Sequence, residues 1–135
     1  MSMYDELKKI EKKLEGEEYT EGAIGYYFVC DLVPDTGEIN ETIKEILIKN
    51  KVIGKEDNVE LMRVENIISD FEPISDEWHY SEQIKKRFLD IFSGADGYYS
   101  MTADGSYAAC GYLWSTCRVL QKGDEIVLLE FYITD

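Results

Sequence analysis

The run Ile126-Val127-Leu128-Leu129-Glu130-Phe131-Tyr132-Ile133 most restricts what this chain can fold into. It is rich in β-branched and aromatic residues and apolar on both parities. A strand of that kind is buried on both faces, so it lies inside a sheet and not at its edge. Two turn signals precede it. Asp104-Gly105 suits a type I′ turn, which needs φ > 0 at both central positions. Folding there pairs Thr102 with Tyr107, Met101 with Ala108 and Tyr99 with Cys110. The second turn, Gln121-Lys122-Gly123-Asp124, sets Leu120 opposite Glu125 and Trp114 opposite Phe131. Tyr112, Trp114, Thr116, Val127, Leu129, Phe131 and Ile133 then share one face, and Tyr99 and Met101 join it unless Gly111 carries a bulge.

The rest of the chain supplies helices for that sheet. Met3, Leu7, Ile10 and Leu14 recur at helical spacing, with lysines on the other side and Gly16 as the stop. Ile24 to Val33 alternates as a strand with Ile24, Tyr26, Phe28, Cys30 and Leu32 on one face, and Pro34-Asp35-Thr36-Gly37 turns it. Asn40 caps a second helix with Ile43, Ile46 and Leu47 buried, ended by Gly54. Leu61, Val64, Ile68 and Phe71 predict a helix from Val59 to Ile68, against its β-branched content. Ser81 or Ser75 caps a last helix with Ile84, Phe88, Ile91 and Phe92 inward and Gly94 at its end. The fold class expected is α+β: an antiparallel sheet with a C-terminal β-meander and helices packed on one face, as one domain over 1–135.

Composition excludes several classes of function. The chain has 135 residues, 28 Asp+Glu against 14 Lys+Arg, and a net charge of −14. That balance opposes binding to nucleic acid, whose affinity comes largely from neutralising phosphates, and to an anionic membrane. Neither a leader peptide nor an apolar run of membrane-spanning length is visible, so a cytoplasmic location is expected. Cys30, Cys110 and Cys117 form no CxxC and read as reduced, buried packing residues. His79, the only histidine, has no spaced partner, so neither a metal site nor a catalytic pair is indicated. Ser93-Gly94-Ala95-Asp96-Gly97 lacks the lysine of a phosphate loop and is read as turn chemistry. Nothing points to a cofactor or to an enzyme.

The charge is uneven. Between Glu56 and Glu82 stand nine acids (Glu56, Asp57, Glu60, Glu65, Asp70, Glu72, Asp76, Glu77, Glu82) and one base, Arg63, for a net charge of −8. Phe71, Trp78 and Tyr80 lie among them. Crowded like charges repel, and no helix or loop requires them. One reading is a solvated face. The other is a docking surface in which Glu65, Asp70, Glu72, Asp76 and Glu77 meet a partner's lysines and arginines while Phe71, Trp78 and Tyr80 anchor it.

In size, charge and this acidic-aromatic character the whole chain resembles the bacterial immunity proteins of polymorphic and contact-dependent toxin systems. No motif carries the resemblance, and no residue roles transfer with it. It implies a small cytoplasmic inhibitor that sequesters a basic protein, such as a toxin domain, as a monomer or weak homodimer. Two alternatives stand beside it. One is a small-ligand domain or enzyme with a pocket between sheet and helices, lined by Tyr26, Tyr99, Tyr112 and Trp114, which otherwise fill a core. The other is a nucleic-acid mimic with carboxylates in rows.

Overall fold

The structure, a computed structural model, describes residues 2–49, 59–103 and 114–134. Its elements are α1 (Met3–Leu14), β1 (Thr20–Glu21), β2 (Ile24–Leu32), α2 (Ile39–Lys49), β3 (Val59–Arg63), α3 (Ile67–Glu77), α4 (Glu82–Ser93), β4 (Gly97–Ala103), β5 (Trp114–Lys122) and β6 (Glu125–Thr134). The strands form one antiparallel sheet in the order β1-β2-β6-β5-β4-β3. The fold is α+β, and β4, β5 and β6 form the expected C-terminal meander. β6 lies inside the sheet, as its two apolar faces require: Val127, Leu129, Phe131 and Ile133 enter one core cluster, Ile126 and Leu128 the other.

The two clusters differ in what covers them. α1, α3 and α4 lie over Phe28, Cys30, Tyr98, Leu120 and the odd-numbered β6 residues. α2 lies on the opposite face, where Ile43 and Leu47 meet Val33, Val59, Cys117, Val119 and Leu128. Helices on one face thus describes three of the four. α2 goes to the other because that side of β5 and β6 is equally apolar and would otherwise face water.

Register departs from expectation in both hairpins. Gly123 (φ +58°) and Asp124 make a two-residue turn, so Lys122 pairs with Glu125 and Trp114 with Ile133. The slip from the expected pairs is two residues, and side-chain direction has a period of two, so the face assignment survives. The first hairpin is different. Tyr99 pairs with Val119 and not with Cys110, and Tyr98 with Leu120. Tyr99 and Met101 accordingly pack in the cluster of Cys117 and Val119, opposite the side of Val127 and Leu129. The expected Asp104-Gly105 turn, Tyr107, Ala108, Cys110, Gly111 and Tyr112 lie outside the described residues, as do Glu56, Asp57 and Gly54.

Local signals elsewhere hold with adjustments. Ser2 Oγ accepts from the Asp5 N–H at 3.1 Å and opens α1, which ends before Gly16 at φ +79°. α2 begins one residue before Asn40. Val33, not Leu32, is buried at the end of β2, and Leu32 is 48% exposed. The helix expected over Val59–Ile68 is a strand as far as Arg63, paired with β4, and α3 begins only at Ile67. Pairing with the edge of β4 decided there, since Val59 is the one β-branched residue of β3 and Ile67 and Ile68 enter α3. Ser81 caps α4 through the Ile84 N–H at 3.2 Å, while Ser75 lies buried inside α3. Among the described residues, no helix is long and apolar enough to cross a membrane.

Candidate functional site

α3 organises the charged segment. Asn66 starts it by accepting the Ser69 N–H on its side chain at 3.0 Å. Phe71, Ile74, Ser75 and the capping Trp78 follow at spacings of three and four, so one side of the helix enters the core. The helix stops in a Schellman arrangement: the His79 N–H reaches Asp76 O at 3.2 Å and the Tyr80 N–H reaches Ser75 O at 3.0 Å. The left-handed position of that motif usually holds glycine. Here it is His79, at φ +57°. Its ring stacks on Tyr19 with centroids 3.6 Å apart and planes 14° from parallel.

This geometry divides the residues expected to form a single surface. Glu65, Glu72, Asp76 and Glu77 are exposed. Phe71 and Trp78, expected as surface anchors, are 0% and 2% exposed. Phe71 packs among Phe88, Phe92 and Phe131, and the Trp78 indole N–H donates to Tyr27 O at 3.0 Å. Neither can enter a partner's pocket, because burial against the sheet removes far more apolar area from water than a surface contact would. Tyr80 is turned inward as well, and its hydroxyl is buried without a hydrogen-bond partner. That isolation pushes its pKa well above the ordinary phenol value.

Asp70 also leaves the expected surface. It receives Arg118 Nε at 2.7 Å and Nη2 at 3.2 Å, plus the Tyr98 hydroxyl at 2.7 Å. Arg118 spends Nη1 on Thr116 Oγ1 and Cys117 O, both at 2.8 Å. Burial works against the Arg118 charge, but the Asp70 contact outweighs it and holds the pKa above its ordinary value. The Tyr98 phenol is pushed up by burial first and by Asp70 second. This network sits in a groove of about 660 Å³ between α3 and the sheet, with Pro73, Glu77 and Trp78 on its walls.

Trp78 separates that groove from a second cavity, of about 270 Å³, lined among others by Tyr19, Tyr26, Tyr80, Glu17 and Glu18. Tyr26 stands edge-on to Trp78 at 5.4 Å and 5.2 Å from Tyr19, and its hydroxyl donates to Glu77 Oε1 at 3.4 Å. Desolvation, then the charges of Glu77 and Glu21, push its pKa up. The ligand pocket expected from Tyr26, Tyr99, Tyr112 and Trp114 is not formed as drawn, because Tyr26 and Tyr99 lie on opposite faces of the sheet. Tyr112 and the Trp114 side chain lie outside the described residues.

The cysteines carry no activated thiol among the described residues. Cys30 and Cys117 are free and buried. Burial, with Glu11 as the next cause, pushes Cys30 up to about 12, and burial with Glu130 pushes Cys117 up despite Arg118.

Arg118, Tyr98 and Tyr19 were missed as site residues, and Tyr26, expected to line a pocket with Tyr99, lines one with Tyr19 instead. A signal existed for the first: Arg118 shares its strand face with Thr116 and Leu120, and an inward arginine requires a buried acid. Nothing in the order of residues singles out Asp70, 48 positions away, from 28 acids.

No family model matches the chain, and no curated protein does. Among solved structures it is similar to citrus MAF1 in two crystal forms. One, in space group C 2 2 21, has a TM-score of 0.51 and 12% identity over 96% of this chain and 98% of the citrus chain. The other, in P 31 2 1, has a TM-score of 0.52 and 9% identity over 98% and 99%. At such identity the likeness is one of fold alone.

Proposed function

We propose that the chain is an acidic protein-binding module that receives a basic protein on the outer side of α3, acting as an inhibitor in the manner of an immunity protein. One observation carries this reading. Glu72 and Asp76 are exposed at i+4 and i+8 from Ile68, which is 61% exposed, and Glu77 is exposed on the flank toward Tyr26, on an 11-residue helix that has no basic residue. Among the described residues no lysine or arginine is within ion-pair distance of those three acids. Glu72 and Asp76 repel at i, i+4, and Asp76 and Glu77 occupy the last turn, where the helix dipole favours cations. Local choices that work against the helix are expected where function imposes them. The anchor offered to a partner is then Ile68 and not Phe71 or Trp78. This reading is preferred to nucleic-acid mimicry because the acids gather on one short helix and not in long rows.

The test is to capture a basic protein from the native lysate and measure its association with the purified chain across NaCl concentrations, with and without the Glu72→Lys/Asp76→Lys double substitution. Electrostatic steering predicts that the association rate falls roughly tenfold or more between low and high salt, and falls again in the variant. Association indifferent to both changes overturns the reading.

A further inference from the structure

The cavity beside Trp78 has a chemistry of its own. Tyr19, Tyr26 and Trp78 line it together with Glu17, Glu18 and His79, whose ring backs Tyr19 at 3.6 Å. Glu77 reaches it through the Tyr26 hydroxyl. Aromatic faces carry negative potential, and several rings around a small space with carboxylates beside them favour a cation. The walls are held in place: Trp78 is tied to Tyr27 O at 3.0 Å, and the Tyr26 N–H is tied to Tyr19 O at 3.0 Å. Tyr80 backs the cavity from the core, where its ring packs on Phe88 with centroids 5.4 Å apart. The α4 N-terminus, which would repel a cation, is capped by Ser81 and followed by Glu82. At about 270 Å³ the space is smaller than the roughly 300–1,000 Å³ of sites for drug-sized ligands, so it suits one side chain better than a cofactor.

We propose that this cavity is an aromatic cage for the alkylammonium head of a lysine side chain presented by the basic partner. The cage rests on the reading of the chain as a binder of basic proteins, and it supplies what the outer side of α3 lacks, a concave anchor point. The lysine ammonium sits among the Tyr19, Tyr26 and Trp78 rings with Glu17 and Glu18 as counter-charges.

The experiment uses the full chain with Trp114→Phe, so that Trp78 is the sole indole. Its fluorescence is followed during titration with tetramethylammonium chloride, with NaCl at equal ionic strength, and with tert-butanol as the neutral isostere. Short peptides carrying lysine, trimethyl-lysine or acetyl-lysine form the second set of probes. Saturable binding of tetramethylammonium and of the two cationic peptides is expected, with acetyl-lysine and tert-butanol at least roughly tenfold weaker. Glu17→Gln/Glu18→Gln, at positions the core does not use, weakens the cation roughly fivefold and leaves the fold intact. Equal binding of neutral and cationic probes, or no saturable response to any cation, overturns the cage. Tetramethylammonium binding without peptide binding overturns lysine as its occupant. Glu72→Lys/Asp76→Lys leaves tetramethylammonium binding unchanged, so failure of the α3 surface and failure of the cage are read separately.

Discussion

The inner and outer sides of α3 are built from the same 11 residues under opposite rules. On the inner side Phe71, Ile74 and Ser75 are buried, and Asp70 is matched by Arg118 with good hydrogen-bond geometry. On the outer side Glu72, Asp76 and Glu77 are exposed with no lysine or arginine in ion-pair reach among the described residues, and Ile68 is exposed one turn before Glu72. The inner carboxylate, Asp70, has its cation, and the outer ones have none among the described residues. The contrast teaches that an acidic-aromatic stretch is not by itself an acidic-aromatic surface. Helical periodicity sorts the two chemistries, sending rings inward and most carboxylates outward. The aromatic component returns to the surface only through the cavity beside Trp78.

Substitutions can break that contrast. Trp78→Ala removes the wall between the two cavities and a core ring, and it should lower unfolding free energy by about 3–5 kcal/mol in chemical denaturation. A change below about 1 kcal/mol would mean that Trp78 is not the inner-side keystone described above. Asp70→Ala strands Arg118 and should cost about 3 kcal/mol, the low end for a buried pair because Asp70 keeps 21% side-chain exposure. Asp70→Leu with Arg118→Met should recover most of that loss. If the double variant is as unstable as the single one, the penalty comes from packing and not from an unpaired charge.

The next effects are smaller. The inner-side phenols of Tyr80 and Tyr98, and the Cys30 thiol, all have pKa values raised by burial. For such groups the unfolded chain releases its protons first. Their stabilisation is therefore complete below the unfolded-state pKa and is lost as pH rises toward the folded one. For Cys30 that window runs from 9.0 to about 12. Denaturation midpoints should be level up to about pH 8 and fall above it, with Cys30 contributing on the order of 1 kcal/mol by pH 10. Cys30→Ala should flatten that slope, and an unchanged slope would remove Cys30 as its source.

Tyr80→Phe deletes a buried hydroxyl that has no partner. It should leave the free protein as stable or raise its stability by about 1 kcal/mol. A clear loss of stability would show that the hydroxyl has a partner after all. Smallest of all, Asp76→Lys on the outer side should stabilise the chain by about 0.3–1 kcal/mol, since it relieves the repulsion from Glu72 and suits the helix C-terminus. Its effect on association with a basic protein should be opposite in sign to its effect on stability. Both effects in the same direction would dissolve the distinction between the two sides of the helix.

Local signals made a good part of the molecule legible. The spacing of Met3, Leu7 and Ile10, the alternation from Ile24, and a turn within Gln121–Asp124 each specify structure within a few residues, while Ser81 and Ser75 both offered a cap and the structure uses Ser81. The two-faced apolarity of β6 placed it inside the sheet. Where a segment offered two periods, as at Val59–Arg63, its own residues could not choose, and pairing with β4 did.

The amino-acid order determined the parity of β5 and β6, the extent of α1, the end of α4 at Gly94, and the concentration of acids ahead of α4, because each rests on neighbours a turn or a strand away. Tertiary structure alone decided that Tyr99 meets Val119, that Asp70 meets Arg118, and that Tyr19 and Tyr26 come to stand beside Trp78 and His79. Those contacts join residues tens of positions apart. Which of many chemically equivalent partners meets which is chosen by how three-dimensional packing closes, and no short-range pattern encodes it.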